Sequence, residues 1–263
     1  MNQPDSAGQL RADRQDLHRA GRIAFFGGSF DPPHSGHLAV AGAARAAFRL
    51  DSVLFAPVGA QPLKPEGPTA SFEDRLAMTR LAIDGETGFA VSLADAPKLS
   101  AACGSTPNYT IDTLLGLRAG LDPGAVLYCL MGADAFFGLR GWRRAAEIPF
   151  VAQLVVASRP GLPLEGLNAA LPEGLALDRD PKGDRIEAGV EVRAFSIVNS
   201  AGERAPFFAL PGLDVPISAS GIRERIRSTT SAQRQAEYGG AEAEQALLPA
   251  AVAEYIRAHG LYR

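Results

Sequence analysis

Gly27-Gly28-Ser29-Phe30-Asp31-Pro32-Pro33-His34-Ser35-Gly36-His37-Leu38 is the stretch from which the rest of the chain is read. It follows Ile23-Ala24-Phe25-Phe26, a short apolar run of the kind that forms a buried strand. It runs into Leu38 to Phe48, rich in Ala and Leu, which reads as a helix. The two histidines therefore sit in a strand-to-helix turn. Backbone N–H groups and the positive end of the helix dipole make such a turn a seat for phosphate. Gly27 and Gly28 let the backbone approach a ligand closely. His34 and His37, three residues apart, add donors at the same place. The alternatives are a surface or capping role for the histidines, or half of a metal site. The turn is neither a Walker loop nor the dinucleotide Gly-x-Gly-x-x-Gly pattern.

The 263 residues suffice for one substantial core, and 46% apolar content marks a globular chain. A net charge of −3 gives no basic excess to recruit nucleic acid. Cys103 and Cys129 stand far apart and form no metal or redox pair, usage that fits a reducing, cytoplasmic compartment. No apolar run reaches the length of a membrane span, so no membrane association is expected. A homo-oligomer is left open. Residues 1–21 are polar and charged without an apolar core, and read as a disordered tail and not a signal peptide.

Along the chain, Asp51 to Pro57 reads as a second strand. Val58 to Pro68 is a Pro- and Gly-rich loop carrying Lys64. Such a loop leaves the strand end where open α/β sheets bind ligands, although most loop lysines are merely solvated. Ser71, followed three residues later by Asp74, opens a helix to about Asp84. Arg75 within it reads as solvated or ion-paired. Phe89 to Leu93 reads as a strand, and Tyr109 to Leu115 opens another helix with Thr110 near its cap. Val126 to Met131 is apolar throughout, as a strand covered on both faces should be. It ends in Gly132-Ala133-Asp134, where the acid either accepts from ribose hydroxyls or caps a helix. Trp142, the only tryptophan, follows in a Gly-Trp-Arg-Arg turn with Arg143. Leu154 to Ser158 is a fifth strand. Residues 161–212 read as an irregular, insertion-like segment that could hold a hairpin, with short strand-like pieces at Val190-Glu191-Val192 and Phe207 to Leu210. Ser218 and Ser220 introduce a helix bearing Ile222 and Arg223, a second anion seat or simply a capped helix. Pro249 starts a last helix, stopped by Gly260.

Strands alternating with helices indicate an α/β fold: a Rossmann-like doubly wound parallel sheet of about five strands with a C-terminal helical part. Residues 22–263 are read as a single domain. Two anion seats, a loop lysine and an acidic strand end predict a nucleotide or phosphate ligand. They do not specify a reaction.

The turn resembles the H-x-G-H signature of the nucleotidyltransferases. From about Arg22 to Ser158, and again from Val215 to Arg263, the chain is similar to bacterial nicotinate-nucleotide adenylyltransferases. That likeness rests on Tyr109-Thr110-Ile111-Asp112-Thr113-Leu114, Gly132-Ala133-Asp134 with Trp142, Ile217-Ser218-Ala219-Ser220 with Ile222-Arg223, and the ending His259-Gly260-Leu261-Tyr262. Leu63 stands where a histidine is common, Gly221 where a larger residue is common, and 161–212 is longer than the family's pattern. The resemblance implies transfer of AMP from ATP to nicotinate mononucleotide, with Mg²⁺ carried on the phosphates and no protein metal site. It implies catalytic roles for His34, His37, Lys64 and Arg223. ATP would be held by Gly27, Gly28, Ser29 and Phe30, by Gly132 and Asp134, and by Ser218, Ser220 and Ile222. The mononucleotide would meet Ser29, Lys64, Thr110, Trp142 and Arg143. The rival readings are another transferase of this fold, such as the phosphopantetheine enzyme, a non-catalytic nucleotide sensor, and a metal-dependent hydrolase.

Overall fold

The structure, a computed structural model, describes residues 21–61, 67–100, 104–158, 166–213, 217–228 and 247–263. The expected tail therefore lies outside the described residues, Gly21 apart, and so does Lys64.

Strands β1 (Arg22–Gly28), β2 (Ser52–Pro57) and β3 (Phe89–Val91) run parallel, with β1 innermost. On its other side β1 pairs in parallel with β6 (Val126–Gly132), and β6 with β7 (Gln153–Ala157). A short hairpin of β4 (Lys98–Ser100) and β5 (Gly104–Thr106) stands apart. β1, β2, β3, β6 and β7 are the five sheet strands the sequence predicts. The sheet then continues past them. β11 (Arg204–Leu210) adds in parallel to β7, and β10 (Val190–Asn199) pairs antiparallel with β11, β8 (Leu175–Arg179) and β9 (Arg185–Glu187). The order is β3-β2-β1-β6-β7-β11-β10-β8, with β9 on β10. The irregular reading of 161–212 is thus corrected in its described part, from 166, which is mostly strand, while the hairpin allowed for there is present as β10–β11. Pro206, the mixed charges and the turn glycines obscured a plain antiparallel meander.

Alternation along the central strands sorts side chains to two faces. Tyr128 and Leu130 join Ala24, Phe26, Val53 and Phe55 in one core. Helices α1 (Ser35–Phe48) and α2 (Phe72–Ala82) cover it, with Ala41, Ala44, Phe48 and Met78. Leu127, Cys129 and Met131 face the other core with Phe25, Leu154 and Val156. There α3 (Thr110–Ala119) supplies Ile111 and Leu114. Both faces of β6 are covered, which is why its sequence shows no polar alternation.

Further along the chain come α4 (Ala133–Phe137), α5 (Ile148–Val151), α6 (Gly166–Ala170) and α7 (Ala219–Ser228). The last helix, α8 (Ala250–His259), ends at Gly260, whose φ of 63° is the left-handed stop expected of it. Tyr255 of α8 donates to Asp74 of α2 at 3.0 Å, docking the C-terminal helix beside the first core. Among the described residues no helix is long and apolar enough to cross a membrane.

Candidate active site

From β1 the chain leaves to β2 on one side, while β6 flanks it on the other. The C-terminal ends of β1 and β6 therefore frame the switch point of the sheet, where open α/β folds bind ligands. A cavity of about 560 Å³ opens there. Gly27, Gly28 and Ser29 of the first turn form one side, and Gly132 and Asp134 at the end of β6 the other. Asp134 lies in the first turn of α4 with Gly132 as the cap, so its exposed carboxylate is not used as the N-cap. Thr110, Trp142 and Arg143 line the far end. Trp142 is half-buried, and the Arg143 guanidinium lies 4.6 Å over the ring of Tyr109.

Tyr109 caps α3, and Thr110 is its first helical residue. This helix start is braced by Asn108, whose Oδ1 accepts from Ala60 N–H at 3.0 Å and whose Nδ2 donates to Ala96 O at 2.9 Å. Asp95 is buried at the cavity wall and accepts from Thr113 Oγ1 at 2.7 Å. Burial raises its pKa. Cys129 is buried among the lining residues, and burial together with the Asp95 charge pushes its thiol up to about 12, so it is inert.

The histidines stand beside this cavity and not in its wall. Their rings stack at 3.8 Å, and His34 N–H donates to His37 Nδ1 at 3.1 Å. That bond makes Nδ1 an acceptor and places the ring proton of neutral His37 on Nε2. Packing against Phe30, at 4.9 Å between centroids, and against Phe26 partly buries the ring. Burial, then the nearby His34, hold its pKa well below the usual 6.5. His37 is thus a neutral hydrogen-bond donor, not an imidazolium. Part of the expected anion seat is already used: Ser35 N–H donates to Leu247 O at 3.0 Å, and His37 N–H to His34 O at 2.8 Å.

Two of the expected ATP contacts change character. The Phe30 and Ile222 side chains are buried in the core, so neither can offer more than backbone to a ligand. Ser218 Oγ accepts from Gly221 N–H at 3.1 Å at the start of α7, and Arg223 Nη2 donates to Ser220 Oγ at 3.3 Å. Arg223 Nη1 crosses to the histidine turn and donates to Asp31 O at 2.7 Å. The second anion seat and the first are therefore physically joined.

Three residues at this edge escape sequence reading. Arg75, expected to be solvated or ion-paired, is instead fully buried and donates to the carbonyls of Ser29, Val58 and Ala70 at 2.7, 2.8 and 3.3 Å. Desolvation lowers its pKa, partly offset by Asp31. Asp31 itself accepts from Thr69 and Ala70 N–H, and Tyr262, the penultimate residue, donates to it at 2.7 Å. Only the helical spacing of Arg75 with Met78 and Ala82 hinted at an inward-facing arginine. Among the described residues no three His, Cys, Asp or Glu side chains gather to hold a metal.

Comparison with known proteins places the chain. The cytidylyltransferase-like family model matches residues 25–229. A probable nicotinate-nucleotide adenylyltransferase of Solibacter usitatus is 34% identical over 241 residues, covering 92% of this chain and 99% of the relative. That of Gloeobacter violaceus is 35% identical over 241 residues, covering 92% and 96%. The fold is also that of Plasmodium falciparum nicotinic acid mononucleotide adenylyltransferase complexed with NaAD, at a TM-score of 0.57 and 15% identity over 92% of this chain and 97% of that one. A family model spanning most of the chain, and relatives this similar over nearly their whole length, show that it belongs to the nicotinate-nucleotide adenylyltransferases of the cytidylyltransferase-like family.

Proposed function

We infer that the chain transfers AMP from ATP to nicotinate mononucleotide, releasing pyrophosphate and giving deamido-NAD for NAD biosynthesis. The observation that carries the reading is one cavity at the sheet switch point. It joins the glycine turn, an acid at the end of β6, and an aromatic end built from Tyr109 and Trp142.

An oxygen of the mononucleotide phosphate attacks the α-phosphorus, a new P–O–P bond forms, and the bond to the β-phosphate breaks. The nucleophile is already an anion, so no general base is required. Positioning and charge stabilisation remain. His37 suits charge stabilisation, because a neutral Nε2–H offers a hydrogen bond while its proton stays on the ring. His34 stacks on it and supports the turn. Arg223, with Ser218 and Ser220, is assigned to the β- and γ-phosphates, as is Lys64. Asp134 is assigned to a ribose hydroxyl. Trp142 and Thr110 are assigned to the pyridine, where Arg143 and the α3 N-terminus favour its carboxylate.

Mg²⁺ belongs to this reading as the ion carried on the ATP phosphates. Asp31, the acid of the histidine turn, already accepts from Thr69, Ala70 and Tyr262. An ion that keeps most of its waters needs few protein ligands. A cytoplasmic setting is part of the same reading, supported by the free buried thiol of Cys129.

The test is pyrophosphate release from Mg-ATP with a panel of acceptors: nicotinate mononucleotide, nicotinamide mononucleotide and phosphopantetheine. Release fastest with the nicotinate form is expected. Release only with phosphopantetheine, or none with any acceptor, would overturn the assignment.

A further inference from the structure

We propose that Asp31 is the positioning residue that fixes Arg223 against the histidine turn, and that Tyr262 locks Asp31 in that role. The proposal rests on the reading that this turn and Arg223 take the triphosphate of ATP.

Asp31 lies between the glycines and His34, and its side chain is buried. It is the meeting point of four chain segments. Oδ2 accepts from Thr69 N–H at 2.7 Å, and Oδ1 from Ala70 N–H at 3.1 Å. Oδ1 also accepts from the Tyr262 hydroxyl at 2.7 Å. Arg223 Nη1 bonds the Asp31 carbonyl at 2.7 Å and stands 3.7 Å from Oδ2. Arg223 and Tyr262 come from 192 and 231 residues further along the chain. A carboxylate with this many donors is fixed in one rotamer. Its charge and its carbonyl then fix the plane of the guanidinium fork, with Ser220 holding the second nitrogen.

Such an arrangement suits an arginine that must meet a phosphate with little reorganisation. A flexible guanidinium would have to be ordered on binding. The same contact accounts for the turn that follows α8. Tyr262 is buried and takes a positive φ of 64°, following the left-handed Gly260, so the terminus folds back to deliver one hydroxyl to Asp31. Burial, then the bond to Asp31, raise the pKa of that hydroxyl, so it remains a donor.

Tyr262→Phe removes the hydroxyl and keeps the ring. In protein shown to be folded by circular dichroism, kcat/KM for ATP should fall by roughly 13–160-fold, the scale of one hydrogen bond to a charged group. KM for nicotinate mononucleotide should stay within about two-fold. In an Arg223→Ala background, Tyr262→Phe should have no further effect on ATP kinetics, because its action runs through that arginine. A purely structural tyrosine would lower the melting temperature and leave the kinetics of the folded protein alone. Asp31→Asn, which leaves Tyr262 in place, is held to the same test if Tyr262→Phe does not fold. ATP kinetics within two-fold of wild type, or an undiminished effect in the Arg223→Ala background, would overturn the proposal. A wild-type chain releasing no pyrophosphate would instead defeat the functional reading beneath it.

Discussion

His37 carries two consequences at the scale of a single residue. Its Nδ1 is committed to His34 N–H, so only Nε2 can donate outward. His37→Ala removes that donor, and kcat should fall by roughly 10²–10³-fold, the range for losing one oxyanion-type contact. A kcat within a few-fold of wild type in folded protein would remove His37 from the mechanism. The second consequence concerns stability. The folded pKa lies below the unfolded value of about 6.5. As the pH falls through 6.5 the unfolded chain gains a proton that the folded chain refuses, so stability declines until the folded pKa is reached. His37→Gln cannot take that proton. Its urea midpoint should therefore drop less between pH 7.5 and pH 5.5 than that of the wild type. Equal drops would show that the ring titrates normally in the folded protein.

Among the elements, the wall between β2 and α3 is set by a close approach at Gly59. Gly59 N–H donates to Asp95 O at 2.8 Å, and a Cβ there would lie 2.5 Å from the Pro97 backbone and 2.8 Å from Asn108 Oδ1. Backbone cannot yield as a flexible side chain can. Gly59→Ala should cost about 1–3 kcal/mol, the usual range for overpacking. It should also raise KM for nicotinate mononucleotide by pushing the Asn108 brace away from the α3 N-terminus. Urea unfolding and initial rates check both parts, and an unchanged KM would separate the brace from the pocket. This contact also shows where sequence reading stops. The apolar run of β6, the Ser71 cap, whose Oγ accepts from Asp74 N–H at 3.0 Å, and the Gly260 stop are local signals, and local signals can be read. The phosphate turn and the cavity lining at Thr110, Asp134 and Trp142 follow from motifs beside strand ends. Gly59 against Pro97, Arg75 under three carbonyls and Tyr262 on Asp31 join segments far apart in sequence. Their residue types alone look like a loop glycine, a solvated or ion-paired arginine and a tyrosine past the last helix.

For the whole molecule, the stretch read as an insertion completes the sheet that builds the site. β11 pairs directly with β7, next to the strand that carries Gly132 and leads to Asp134. Phe207 of β11 is fully buried in the same core as Cys129, Leu154 and Ile111. Its ring lies 5.2 Å from Phe136 of α4 and 5.6 Å from Phe195 of β10. It therefore packs against the helix bearing Asp134 on one side and the antiparallel extension on the other. Truncating so buried an aromatic typically costs about 3–5 kcal/mol in lost transfer energy and unfilled volume. If β8 to β11 share one core with the nucleotide-binding half, Phe207→Ala should move the entire urea transition by that amount. Fluorescence of Trp142 at the pocket and far-ultraviolet circular dichroism should then report the same midpoint. If the extension were a separate unit, circular dichroism would show an early partial transition. Trp142 would then keep its wild-type midpoint. Coincident shifts are expected, because loss of β11 would strip β7 of its hydrogen-bonded neighbour and α4 of the ring that packs on Phe136.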